Sequence, residues 1–331
     1  QGKFPSSFMK KESARSLGTR LVDGLLSKAG LSADALNRWS AGGNRIKFFF
    51  GAVDGSESPN IAREIAVKAG LRAIPGTAIG KNCGTSLEAV GLGVSALLSG
   101  DADVILAGGA ESMSRLPQFT KDPVLAMQSL TLLALPEMLA RAPIWKKPIL
   151  LFAYAKTWLA RKWRLSAIRH RYAIAEGLSI DGVMMAQTAQ TLADKYGISR
   201  EEAEWLAYSS QERAAEATKR GEYEDEIIPF ESEGRSAETV DQGIRFGQSR
   251  GGFRRLKPVF GTKDVTPGNA SQISDGSAGV LLMTESKARE LGLVPMAFVS
   301  GVSDAGVDPA EMGIGPAYAI PQALKRAGRA L

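Results

Sequence analysis

Short apolar runs alternate with helix-periodic segments along this chain, and glycines mark the switches. Residues 14–29 read as an amphipathic helix ended by Gly30, and 60–69 as a second helix closed by Gly70. Between them, 35–50 is mixed: Gly42-Gly43 marks a loop, and Ile46-Lys47-Phe48-Phe49-Phe50 a strand. The apolar run 74–80 predicts a strand that feeds a helix of small residues over 84–99, with another strand at 104–107. Residues 116–272 break this rhythm with long helices. One starts at Ser199, where Glu202 three positions on completes a capping box, and ends near Gly221. The alternation then returns as a buried strand at 279–283, a helix at 286–291 and a strand at 297–302. Such an order predicts an α/β fold, a sheet layered between helices.

The 331 residues suffice for two domains, or for one large domain with an insertion. The polar start, Gln1-Gly2-Lys3, has no apolar core of a signal peptide, and the lack of an initiator Met suggests that residues precede it. A single cysteine fits a reducing cytoplasm, and a cytoplasmic location is expected. The net charge of +6 is uneven: 141–171 holds nine Lys or Arg and no acid, so the rest is mildly acidic. That distribution argues against a general nucleic-acid binder.

Trp145, Trp158 and Trp163 fall in the same basic segment, around an apolar run too short to span a bilayer. Tryptophan beside lysine and arginine suits a helix lying in the headgroup region of an anionic membrane. A helix docked on a partner subunit, or packed within its own protein, has the same pattern.

Cys83 is the only cysteine, which rules out an internal disulfide and any multi-cysteine metal site. It stands where the apolar run meets the small-residue helix. The first turn of a helix exposes unpaired N–H groups and the positive end of the macrodipole, which favours a thiolate nucleophile. A buried structural cysteine is the alternative. Gly91-Leu92-Gly93-Val94-Ser95-Ala96 imitates a dinucleotide-binding fingerprint, but that motif must open a helix directly after a strand. Here it falls mid-helix, where Ala89, Gly93 and Ala96 suit close packing of a buried helix.

The blocks Asn82-Cys83-Gly84-Thr85-Ser86-Leu87-Glu88-Ala89, Gly108-Gly109-Ala110-Glu111-Ser112-Met113-Ser114 and Gly268-Asn269-Ala270-Ser271 through Asp275-Gly276 follow one another in order. Together they resemble the thiolases, the acyl-CoA C-acyltransferases, over nearly the whole chain. Pro59-Asn60-Ile61-Ala62-Arg63-Glu64 and the long segment after Ser114 look most like the β-oxidation branch, with the β subunits of trifunctional complexes. The resemblance implies a five-layered αβαβα core with an inserted helical loop domain. It divides the chain into a nucleophile domain (1–115), the CoA-binding insertion (116–272), a return to the core (273–290) and the start of a second domain (291–331). It favours a membrane or partner role for 141–171, at the inner face of the membrane.

The implied reaction cleaves a 3-ketoacyl-CoA with CoA through an acyl-cysteine, and no cofactor beyond coenzyme A as co-substrate is expected. A homodimer is implied, as is a hydratase/3-hydroxyacyl-CoA dehydrogenase partner subunit. Cys83 matches the acylated cysteine. Many relatives carry an asparagine three positions before it, where Gly80 stands, so no role is assigned to Asn82. Ser271 is expected at the pantetheine arm, and Arg245 near the nucleotide, where its fixed charge and planar group suit phosphate and adenine. Met185 lies where relatives line the acyl or pantetheine channel, and core packing is its other reading.

The family's Asn-Glu-Ala-Phe, Gly-His-Pro and Cys-x-Gly-Gly-Gly blocks do not occur here, and the only histidine, His170, matches no catalytic position. The expectation is therefore a chain covering the nucleophile part of a longer thiolase. A catalytically inactive acyl-CoA-binding or assembly subunit and a biosynthetic, acetoacetyl-CoA-forming thiolase are the alternatives.

Overall fold

The computed structural model describes residues 2–3, 9, 11–53, 58–115, 184–231 and 237–331. The basic segment 141–171, with its tryptophans and His170, lies outside the described residues. The first half comprises β1 (Gly2–Lys3), α1 (Ala14–Lys28), α2 (Ala33–Ala41), β2 (Ile46–Gly51), α3 (Ile61–Lys68), β3 (Gly76–Ile79), α4 (Thr85–Leu98) and β4 (Val104–Ser112). There follow α5 (Met185–Tyr196), α6 (Arg200–Lys219), α7 (Arg250–Arg254), β5 (Ser274–Met283), α8 (Glu285–Glu290) and α9 (Gly315–Arg326). The strands form one sheet in the order β1-β5-β4-β2-β3. β2 runs parallel to β3 and β4, and β5 pairs antiparallel with both β4 and β1.

Alternation along the central strands sorts their side chains to two faces. Phe48 and Phe50 of β2, with Val104, Leu106 and Ala110 of β4, pack in the main core against Leu17, Leu21 and Val22 of α1 and Ile61 and Ile65 of α3. Ile105 and Ala107 point the other way and meet Ala89 of α4, with Phe49 and Leu282 at the edge. Helices therefore cover both faces, which explains why β4 is buried along almost its whole length.

Local chemistry starts and stops these helices. Ser13, Ser32 and Asn60 cap α1, α2 and α3 by accepting from the N–H of the third residue on. Ser199 and Glu202 form the expected capping box of α6. Gly30 and Gly70 end α1 and α3 in left-handed conformations that suit glycine. Arg15 of α1 pairs with Glu64 of α3. Ser58, and then Arg15, hold the Glu64 carboxyl below its ordinary range.

The structure departs from the sequence expectations in three places. Residues 33–41, given no element of their own in the mixed stretch 35–50, form the helix α2, of which only Leu36 is fully buried. Residues 279–283 do form a strand, but β5 begins five residues earlier at Ser274 and is only partly buried. Residues 297–302 form no strand. Their chain packs beside α9, where Arg326 donates to the Val302 carbonyl (2.6 Å), while Met296 and Phe298 are exposed.

Phe48 is fully enclosed, so truncation leaves a cavity that the two-sided packing cannot close. Phe48→Ala should lower stability by about 3–5 kcal/mol. Urea unfolding should show the midpoint fall with the slope unchanged.

Candidate active site

The chain leaves β3 at Ile79, passes Gly80 and Lys81, and makes a single 3-10 turn over Asn82–Gly84 before α4 begins. Cys83 sits in that turn and is exposed. In this structure the cysteine is not buried. The preceding Asn82 has a left-handed backbone (φ 47°). Asparagine is among the few non-glycine residues that tolerate this region. A local role thus belongs to Asn82 after all: it supplies the bend that brings the chain from strand to helix.

Two glycines on neighbouring strands make room for this turn. Gly51 of β2 lies directly opposite Gly109 of β4. A Cβ on Gly51 would lie 2.0 Å from the Ile79 carbonyl oxygen and 2.5 Å from the Thr85 methyl carbon. One on Gly109 would lie 2.3 Å from the Ser86 hydroxyl oxygen. The start of α4 is thus seated in a notch that only side-chain-free positions provide. Further along the same helix, Gly93 lies against Ile105 and Leu282. The Gly91–Ala96 stretch is mid-helix and serves packing, as its sequence position implied.

Charge ties this turn to a distant part of the chain. The Lys81 ammonium bonds both Glu88 of α4 and Asp304 (3.0 Å). Those hydrogen bonds, Glu88 first, hold Lys81 protonated above the ordinary lysine range, while Lys81 holds Asp304 below the usual carboxylate range. Nearby, the fully buried Asp275 of β5 accepts from the Ser114 N–H (2.8 Å) and hydroxyl (2.7 Å). It thereby holds the chain where it leaves β4. Sequence reasoning assigned no role to Lys81, Thr85 or Asp275. The signal for Asp275 was a carboxylate among the small residues that open an otherwise apolar-ending strand.

The residues expected at CoA lie elsewhere. Arg245 lines a cavity of about 210 Å³ together with Gln211, Gln248, Phe253, Gly268 and Ala270. Its backbone N–H donates to Gln211 of α6 (2.9 Å), and the Gln211 amide donates to Gly243 (3.3 Å), which pins the arginine loop to the helix. Gly268 is closed in by Leu256 and Phe253, which a Cβ would strike at 2.6 and 2.8 Å. Asn269 shapes the same loop by accepting from the Thr266 N–H (2.7 Å) and donating to the Asp264 carbonyl (2.9 Å).

Arg245, Gly268 and Ala270 therefore line one cavity. Ser271 is exposed and does not line the cavity, although its neighbours Ala270 and Gln272 do. Met185 opens α5 and is half-buried outside the cavity. Its helix reaches the same loop through Gln190, which accepts from the Lys263 and Asp264 N–H groups (both 2.9 Å). Cys83 is likewise outside the cavity.

The thiolase N-terminal domain model matches residues 2–286. The chain belongs to the thiolase family. This thiolase is 34% identical over 335 residues to an acetyl-CoA acetyltransferase of Allochromatium vinosum, covering 99% of this chain and 74% of that one. It is 32% identical over 344 residues to a probable acetyl-CoA acyltransferase of Staphylococcus aureus, covering 100% of this chain and 75% of the relative. The crystal structure of the Bacillus anthracis acetyl-CoA acetyltransferase superposes with a TM-score of 0.76 at 26% identity, over 100% of this chain and 74% of that one. A thiolase-like α/β fold and membership of a family of acyltransferases are thereby established.

The notch gives an ordered expectation. A methyl at Gly51 meets a backbone carbonyl at 2.0 Å that cannot move, whereas at Gly109 its severe contact is a hydroxyl that can rotate, with the Gly51 carbonyl farther off at 3.0 Å. Gly51→Ala should therefore lower the thermal midpoint more than Gly109→Ala, within the usual overpacking range of about 1–3 kcal/mol for the milder case. Equal losses would contradict the steric reading.

The ion pair gives a second. The contribution of a lowered carboxylate is present above its unfolded value and is lost as pH falls through the folded one. Asp304→Asn should lower the urea midpoint slightly at neutral pH and leave it unchanged well below the ordinary carboxylate range.

Proposed function

We propose that this thiolase catalyses acyl transfer between 3-ketoacyl-CoA and CoA with Cys83 as the acylated nucleophile, in the degradative direction of fatty-acid β-oxidation. The observation that carries the reading is an exposed sole cysteine in a strand-to-helix turn, within a chain of the thiolase family. The thiolate attacks the 3-keto carbon, and the tetrahedral adduct collapses with cleavage of the Cα–Cβ bond. The bond's electron pair leaves on the acetyl-CoA carbon, which takes up a proton. The acyl group remains as a thioester on sulfur until the thiolate of a second CoA attacks it and releases the Cys83 thiolate. Dividing one displacement into two in this way is the advantage of covalent catalysis.

Arg245 and its cavity are assigned to the nucleotide end of CoA, because an arginine beside a partly apolar, glycine-lined cleft suits phosphate and adenine together. Ser271 and Met185 are assigned to the pantetheine arm from the family pattern. The remaining parts of the proposal are a homodimer, a hydratase/dehydrogenase partner subunit and contact of 141–171 with an anionic membrane on its cytoplasmic side. The last rests on charge and tryptophan content alone. Among the described residues, no helix is long and apolar enough to cross a membrane.

Incubation with acetyl-CoA should place an acetyl group on Cys83, seen by peptide mass spectrometry, and Cys83→Ala should abolish it while leaving CoA binding largely intact. CoA binding without any adduct would favour the inactive acyl-CoA-binding reading. Faster condensation of acetyl-CoA than cleavage of longer 3-ketoacyl-CoA, in an assembly that turns over, would favour the biosynthetic one.

The basic segment makes a separate prediction. Flotation with anionic liposomes should be strong at low salt, weaken as the Debye length shrinks, and be absent with neutral liposomes. Replacing Lys146, Lys147, Arg161 and Lys162 with Glu should reduce it. Absence of flotation at low salt leaves only the partner or packing roles for 141–171.

A further inference from the structure

One side chain spans the nucleophile turn on both sides of the sulfur. Thr85 is the first residue of α4 and is only 3% exposed. Its hydroxyl oxygen accepts from the Lys81 N–H (2.9 Å) and its proton goes to the Asn82 carbonyl (2.7 Å). Lys81 and Asn82 precede Cys83 and Thr85 follows it, so a single hydroxyl closes the chain around the cysteine. Its methyl group is turned into the space above Gly51. The same turn contains Asn82 at φ 47°, a conformation that an uncommitted asparagine would leave for the broader extended or helical regions.

We propose that Thr85 is a positioning residue for the reaction: its hydroxyl, not its bulk, locks the left-handed Asn82 and so fixes the direction in which Cys83 presents its sulfur. The inference rests on the reading of Cys83 as nucleophile. Both bonds are local and join the buried Thr85 side chain to the exposed Lys81 and Asn82, so loss of the hydroxyl removes the two ties across the cysteine and leaves the Lys81 N–H and the Asn82 carbonyl to solvent. Without that closure the turn rotates about Asn82, whose left-handed backbone is no longer held, and the sulfur moves with it. The two halves of the side chain have separable tasks: the hydroxyl sets the turn, and the methyl fills the glycine notch.

The sole cysteine makes the test unambiguous, because every thiol event in the chain reports Cys83. The second-order rate of alkylation by iodoacetamide is measured across pH for the wild-type chain, Thr85→Ser and Thr85→Val, with thermal unfolding as the control of fold. Valine keeps the shape and loses the hydroxyl; serine does the reverse. The expected result is a change of about tenfold for T85V, equivalent to ~1.4 kcal/mol in the barrier, with an altered pH profile. T85S should remain within about twofold of wild type by the same measure.

A T85V chain with wild-type rate and pH profile overturns the proposal, as does a T85S chain altered as much as T85V. If T85V does not fold, T85S is compared with T85A, which differs from it by one oxygen. Equal rates there overturn the proposal, and a wild-type-like rate confined to the serine variant supports it. Failure of the underlying reading looks different. No acyl group would form on Cys83 of the wild-type chain, whatever the alkylation rates of the Thr85 variants.

Discussion

The approach of α4 to the sheet depends on the opposed glycines Gly51 and Gly109. β2 and β4 run side by side in parallel, and at this level neither carries a side chain toward the helix. Thr85 and Ser86 occupy the space instead. That contact sets the height of the helix over the sheet, and with it the position of the turn that carries Cys83. Everything upstream supports the notch: the two faces of β2 are filled by Phe48 and Phe50 on one side and Phe49 on the other, so the strand cannot shift to accommodate a larger residue.

Polar contacts do the finer positioning around this apolar frame. Lys81, tied to Glu88 and Asp304, connects the turn with a segment more than two hundred residues away. Asp275 fixes Ser114 where β4 hands over to the next part of the chain. On the far side, amide side chains of two helices, Gln190 and Gln211, hold the loops that carry Asp264 and Arg245. Arginine at that cavity is thus mounted by its backbone while its side chain is left exposed. Such an arrangement suits a group whose task is to meet a charged ligand.

Much of the fold was legible because its elements are locally punctuated. Capping at Ser199, stops at Gly30 and Gly70, and the β3-to-α4 switch at Cys83 depend on neighbours in sequence, and the structure has them where the pattern put them. Reading failed where the decisive partner was remote. Gly42-Gly43 and the strand after it dominate the pattern of 35–50, and the short α2 before them, which fully buries only Leu36, stood without an element of its own. Residues 297–302 were read as a strand from their apolar content, yet no sheet edge receives them, and Arg326 takes the Val302 carbonyl. Arg245 and Ala270, separated in sequence, line one cavity. The exposure of Ser271 beside their cavity depended on a loop path that the motif does not encode.

By itself the sequence determined the alternating layered architecture, the single candidate nucleophile and the family, since all three rest on residue order and local spacing. Only the tertiary structure decided that Cys83 is exposed, that Asn82 is left-handed, and that Gly51 and Gly109 face each other beneath Thr85 and Ser86. The physical reason is the distance of the partners. A glycine whose purpose is to admit another residue's side chain looks like any other glycine until both strands and the helix are in place. A threonine that closes a turn is indistinguishable from one that caps or packs until its hydroxyl is seen between Lys81 and Asn82.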